Sequence, residues 1–216
     1  MYLGIDVSDN QKTIDWKAVQ KDGVDFAILR SVRGSGKIDK EFVNNVKGCR
    51  SVGMAFDVYK YSYADTIAKA QNEAAQVIQA LNSNNISDIT VWWDMEDKSL
   101  RPLGRDNLTK LIKAAQTVIE SAGFNFGIYC NQDWYNNVLD VRKFDVPFWM
   151  AKYPSNAVLG VNVVPNVSGK PKILPQHEMF GWQYSSKGSV AGIKGNVDLN
   201  VIYADITEGS TDKPLS

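Results

Sequence analysis

A rhythm that repeats five times and then stops constrains the fold of this chain more than any other feature. Strand-like runs at 2–7, 25–32, 54–64, 88–96 and 124–130 alternate with helix-like runs at 14–23, 39–53, 66–84, 105–123 and the short "QDWYNNVLD" at 132–140. The helix at 66–84 carries Ile67, Ala70, Ala74, Val77, Ile78 and Leu81 on one stripe, and that at 105–123 carries Leu108, Leu111, Ile112, Ala115, Val118 and Ile119. Asp15 is placed as an N-cap and Gly23 as a helix stop. From Pro147 onward no amphipathic helix appears, and three strand-like runs follow, "PFWMAKY", "MFGWQYS" and "NVDLNVIY", separated by loops rich in Pro, Gly, Ser and Asn. Alternating βα units call for a mostly parallel sheet with helices outside. Five units plus three strands make eight, the number that closes a TIM-like barrel. An open doubly wound sheet explains the first half equally well but leaves the helix-free end unaccounted for.

The 216 residues suffice for one large domain, and 44% apolar with 22% charged residues is the composition of an ordinary globular protein. The 24 basic residues balance 24 acidic ones, which argues against nucleic-acid or membrane-surface binding driven by bulk charge. No apolar run is long enough to span a bilayer, so no membrane insertion is expected. "MYLGIDVSDN" lacks the basic start and apolar stretch of a signal peptide, so the chain is expected to work in the cytoplasm or to leave it by another route. The barrel is assigned to residues 1–204. The polar stretch "DITEGSTDKPLS" at 205–216 reads as a linker, expected to lead to a wall-binding module.

Cys49 and Cys130 form no C-x-x-C pair and read as buried free thiols. His177, the one histidine, rules out multi-histidine zinc sites and reads as a loop residue. No G-x-S-x-G occurs. "RGSGKID" lacks the Ser or Thr that a phosphate loop needs after its lysine, "DVSDNQ" lacks the turn glycine of a calcium loop, and "DMED" has no phosphate-cradling partner to suit a magnesium site. Neither a metal nor a cofactor is expected. Any chemistry must therefore run on carboxylates.

Those carboxylates cluster in "VWWDMED" at 91–97, where a strand-forming run carries Asp94 and Glu96 two residues apart and so on one face. Burying two like charges is costly unless they are used or partnered. In a barrel of this kind the active site lies at the C-terminal ends of the strands, which also draws in Asp6 of "GIDVS" and, with less certain depth, Asp198 of "GNVDLN". Two residues of strand span roughly 6.6 Å, a spacing that does not choose between retaining and inverting glycosidases. Nine aromatic residues fall in or beside strand ends: Tyr59, Tyr61, Tyr63, Trp92, Tyr129, Trp149, Tyr153, Trp182 and Tyr184. Flat rings suit the apolar faces of pyranoses, although about half of the nine are expected to be barrel filling.

The stretches "GIDVS", "DFAILR", "VYKYSYA", "WWDMED", "FGIYCN", "FWMAKY" and "WQYSSKGSVAGIKGNVDLN" span nearly the whole chain. Together, and in this order, they resemble the family 25 glycoside hydrolases, lysozymes that cut bacterial peptidoglycan and often serve phages as endolysins. The resemblance implies a (β/α)5(β)3 barrel and cleavage of the β-1,4 bond between N-acetylmuramic acid and N-acetylglucosamine. It implies Glu96 as general acid, Asp94 as the group orienting the substrate's own N-acetyl nucleophile, and Asp6 and Asp198 as the rest of an acidic floor. Shared charge, with Trp92 or Trp93 limiting water, is expected to raise the pKa of Glu96. Substrate contacts are assigned to Tyr61, Tyr63, Tyr129, Trp149, Tyr153, Trp182 and Gln183. The partner implied is cell-wall peptidoglycan, reached after holin-dependent release. The chain departs from the family at Lys60, where many relatives carry histidine; strand alternation does not say whether Lys60 enters the mouth. Two other readings stand beside this one: a glycan-binding barrel without catalysis, and a chitinase-like glycosidase, which also uses a D-x-E strand end.

Overall fold

The structure, a computed structural model, describes residues 1–204 and 206. The tail assigned as a linker therefore lies, except for Ile206, outside the described residues. Six parallel strands follow one another around a barrel: β1 Tyr2–Val7, β2 Phe26–Arg30, β3 Ala55–Tyr61, β4 Thr90–Asp94, β5 Asn125–Asn131 and β6 Phe148–Ala151. A two-residue strand, β7 (Leu159–Gly160), flanks the long β8 (Met179–Ser189), and β9 (Val197–Ile202) comes last. β8 pairs in parallel with β6, while β9 runs antiparallel to both β8 and β1. The β6–β8 pairing closes the sheet, which excludes the open doubly wound alternative. The barrel thus consists of β1–β6, β8 and β9. Because β9 alone runs backwards, its first residues lie at the end where the parallel strands finish.

The helices follow the expected positions with trimmed ends: α1 Trp16–Lys21, α2 Phe42–Ser51, α3 Ile67–Asn82 and α4 Arg105–Ser121. Asp15 caps α1 by accepting from the Lys17 and Ala18 amides, and Gly23 adopts a φ of +99° just past its end. The fifth helix shrinks to a π-helical turn at Trp134–Val138. On α3 the buried stripe is Ala70, Ala74, Val77, Ala80 and Leu81. Ile67, expected on that stripe, is exposed because it opens the helix before the stripe reaches the sheet.

Alternation along each strand divides the core into two layers. Outward side chains such as Leu29, Val58, Trp93, Ile128 and Leu199 pack under the helices. Inward ones, among them Phe26, Ile28, Trp92, Tyr129, Trp149 and Ile202, fill the barrel. Trp92 fits only because residue 127 lacks a side chain: a Cβ there would sit 2.3 Å from the indole. Cys49 and Cys130 are buried free thiols, as expected.

Candidate active site

The four acids singled out in the sequence meet at one end of the barrel. Asp6, near the end of β1, is the direct antiparallel partner of Asp198 at the start of β9. Asp94 is the last residue of β4, which is shorter than expected, so Glu96 lies beyond the strand rather than in it. The ladder nevertheless continues on both sides, from the Met95 amide to the Tyr129 carbonyl at 2.9 Å and from the Ser62 amide to the Asp94 carbonyl at 3.1 Å. Met95 turns into the helix-facing layer, and Glu96 returns to the barrel mouth beside Asp94. All four acids line one cavity of about 380 Å³.

Hydrogen bonds organise its floor. Gln183 Nε2 and Asn200 Nδ2 both donate to Asp6 Oδ2 at 2.8 Å. Tyr129 and Tyr153 hydroxyls donate to Gln183 Oε1 at 2.7 and 2.5 Å, and Trp149 Nε1 donates to Asn200 Oδ1 at 2.8 Å. Asp94 differs. It is only 4% exposed, yet its Oδ1 is one of two buried side-chain polar atoms without a hydrogen-bond partner among the described residues. A buried unpartnered carboxylate oxygen is expensive, and it belongs here to a residue that lines the cavity.

The electrostatics follow from crowding acids away from water. Burial, then the charges of Glu96 and Asp6, hold the Asp94 carboxyl well above its ordinary range, while Lys60 opposes this. Burial, then Asp6 and Asp97, raise Glu96, and a hydrogen bond with Asn131 partly offsets them. Asp198 is pushed up to about 9 by burial and by Asp6. Burial also raises Asp6, against the pull of Asn200, Gln183 and Asp198. Four adjacent carboxyls cannot all ionise, so the site retains protons near neutral pH. Among the described residues no group of three or more His, Cys, Asp or Glu side chains is arranged to hold a metal ion.

Of the predicted contact residues, Tyr61, Tyr63, Tyr129, Trp149, Tyr153 and Gln183 line this cavity. Tyr129 and Trp149 lie in its floor, whereas Tyr63 and Tyr153 are 47% and 44% exposed and stand on its rim. The Tyr61 and Tyr63 rings lie 4.8 Å apart on one side of the opening. Trp182 is a correction: it faces the outer layer, fully buried, with Nε1 donating to the Lys152 carbonyl at 2.7 Å. It neighbours the inward Gln183, and adjacent strand residues cannot share a face. Neither Trp92 nor Trp93 shields Glu96, since Trp92 lies deeper in the barrel and Trp93 faces the helices. Lys60 also points outward, paired at 3.4 Å with Glu73 of α3. His177 stacks on Phe148 and meets the Tyr135 hydroxyl, away from the acids.

Among the polar residues that escaped the sequence reading, Arg30 and Asn200 bear most on the acids. Arg30 lines the cavity from the end of β2, held by Asp39 at 2.7 Å and by Asp9. Asn200 stands two residues after Asp198, on the same face. The period of two, counted on from Ile28 and from Asp198, would have placed both inside the barrel.

A larger cavity, about 850 Å³, opens at the opposite end of the barrel. Its buried acid, Asp57, is occupied by the Thr90 amide at 2.8 Å and Trp92 Nε1 at 2.9 Å. The other acids around it, Asp88, Glu120, Asp145 and Glu178, are exposed to solvent, so it gathers no cluster of buried carboxyls such as the smaller cavity holds.

Comparison with known proteins identifies the family. Residues 5–193 match the profile of the glycosyl hydrolases family 25. The autolytic lysozyme of Clostridium acetobutylicum is 24% identical over 208 residues, an alignment covering 96% of this chain and 58% of that protein. The modular autolysin LytC of Streptococcus pneumoniae, solved with a synthetic peptidoglycan ligand, superposes with a TM-score of 0.77 at 26% identity, over 94% of this chain and 46% of the other. The catalytic domain of endolysin ply40, from bacteriophage P40 of Listeria monocytogenes, gives a TM-score of 0.72 at 27% identity, with 95% of each chain covered. The chain thus spans about half the length of the autolytic lysozyme and of LytC.

Proposed function

This chain belongs to the glycosyl hydrolases of family 25, and on that premise we propose that it is a lysozyme, an N-acetylmuramidase that cuts the β-1,4 bond from N-acetylmuramic acid to N-acetylglucosamine in bacterial peptidoglycan. The observation that carries this reading is the buried Asp94, its Oδ1 unpartnered, lining the same cavity as Glu96. An acetamido N–H on the bound sugar supplies the missing donor. Orienting that group turns its carbonyl oxygen toward the anomeric carbon, where it acts as the internal nucleophile. Glu96, kept protonated by burial and by its acidic neighbours, gives its proton to the departing glycosidic oxygen. The resulting oxazolinium ion carries positive charge above the anionic floor. Water, deprotonated by the Glu96 carboxylate, then attacks the anomeric carbon and reopens the ring. The rim rings of Tyr61, Tyr63 and Tyr153 fit the apolar faces of sugars on either side. In this reading the enzyme meets its substrate at the cell wall, after holin-dependent release from the cytoplasm.

The test is chemical identification of the new chain end. Purified peptidoglycan is digested, reduced with borohydride and hydrolysed. Muramicitol is the expected product. Glucosaminitol would reassign the bond cut, and equal cleavage of chitin would favour a chitinase-like enzyme. Wall binding without any new reducing end would favour a barrel that only binds glycan.

A further inference from the structure

The Asn200 amide beneath Asp6 can be oriented from chemistry alone, because the group on its far side is an indole. Trp149 Nε1 can only donate. The Asn200 atom facing it at 2.8 Å must therefore be the amide oxygen, which leaves the amide nitrogen to face Asp6. The Gln183 amide arrives at the same Asp6 oxygen, Oδ2, also at 2.8 Å. Two N–H donors converging on one oxygen leave no place there for an acid proton. The other side of Asp6 meets Asp198, its direct partner across the strands. We infer that Asn200 and Gln183 are positioning residues that hold Asp6 as the ionised member of the Asp6–Asp198 pair and Asp198 as the protonated one, so that the pair presents one negative charge beneath the substrate.

The inference rests on the muramidase reading and extends it, since that fixed charge reaches the general acid. After burial, the charge of Asp6 does most to help Glu96 keep its proton. The titratable groups facing Asp6 are Tyr59 from β3, Asp94 and Glu96 from β4 and its end, Tyr129 from β5, Tyr153 after β6 and Asp198 from β9. Arg30 of β2 lines the same cavity, with its charge committed to Asp9 and Asp39. None of these replaces the two amide donors. Without them Asp6 binds a proton at higher pH, and Glu96, losing an anionic neighbour, releases its own at lower pH. Both limbs of the pH–rate profile should therefore move inward.

Gln183→Met and Asn200→Leu remove one donor each at nearly constant volume. For either folded variant the acid limb of kcat/KM should rise by about one pH unit and the alkaline limb should fall. A loss of activity that scales the whole profile without narrowing it would overturn the inference. A second measurement stands apart from catalysis and from variant folding: with 13C-carboxyl aspartate in the wild-type protein, Asp6 should ionise at lower pH than Asp198 by NMR. The reverse order would overturn the assignment. A wild-type protein silent on every wall preparation would defeat the muramidase reading while the NMR order still decided this one.

Discussion

Asp57 and Asp94 both point into the same barrel and both are buried, yet only Asp94 keeps an oxygen without a hydrogen-bond partner among the described residues. Asp57 accepts from Thr90 and Trp92 with its two oxygens; it holds strands β3 and β4 together at the end away from the acids. Burial pushes its carboxyl from 3.8 up to about 6. With the folded-state pKa above the unfolded one, the folded protein binds the extra proton. The stabilising contribution is present in full below about pH 4 and lost as pH rises through about 6, a difference of about 3 kcal/mol. Asp57→Asn removes this titration. The stability of wild type relative to Asp57→Asn, from urea unfolding, should therefore fall between pH 4 and 6, and a flat or rising difference would contradict the account. Single residues also show where the sequence reading stopped. Trp182 and Gln183 were both assigned to the substrate, but neighbours on a strand face opposite ways. In a barrel wrapped by other chain segments both faces are buried, so composition does not say which one is the mouth.

At the scale of elements, α3 braces the rim of the site through Glu73. It pairs with the buried Lys60, accepts from the Ser62 hydroxyl at 2.8 Å and accepts from the Tyr63 amide at 3.1 Å. Breaking a buried pair strands the remaining charge. Glu73→Ala should therefore cost about 3 kcal/mol, softened by Lys60 giving up its proton, and lower Tm by roughly 6–12 °C. It should also free Tyr61 and Tyr63, raising KM more than it lowers kcat. A variant with unchanged Tm, or with the loss confined to kcat, would show that α3 does not hold the rim. The helices themselves were legible because their stripes repeat with the helical period over many residues. Strand ends were less so: β4 stops at Asp94 rather than at Glu96, and the bonds from Met95 to Tyr129 and from Ser62 to Asp94 preserve the alternation that made the pair recognisable.

For the whole molecule, closure is what turns scattered sequence into a site. Asp6 and Asp198 are separated by most of the chain and become neighbours only because β9 runs back between β1 and β8. The count of five units and three strands was readable from where amphipathic helices cease. The reversed direction of β9, which brings Asp198 to the mouth, was not, because strand patterning carries no sign of direction. Gathering four carboxyls in one mouth sets stability against function: removing one charge relieves repulsion and burial together. The most direct test of the account is hydrolysis of purified peptidoglycan by Glu96→Gln beside the wild type, with Tm recorded for both. The account predicts that the wild type releases reducing ends at muramic acid, and that the variant is at least about 100-fold slower with an equal or higher Tm. A folded Glu96→Gln protein that cuts the wall at the wild-type rate would contradict it.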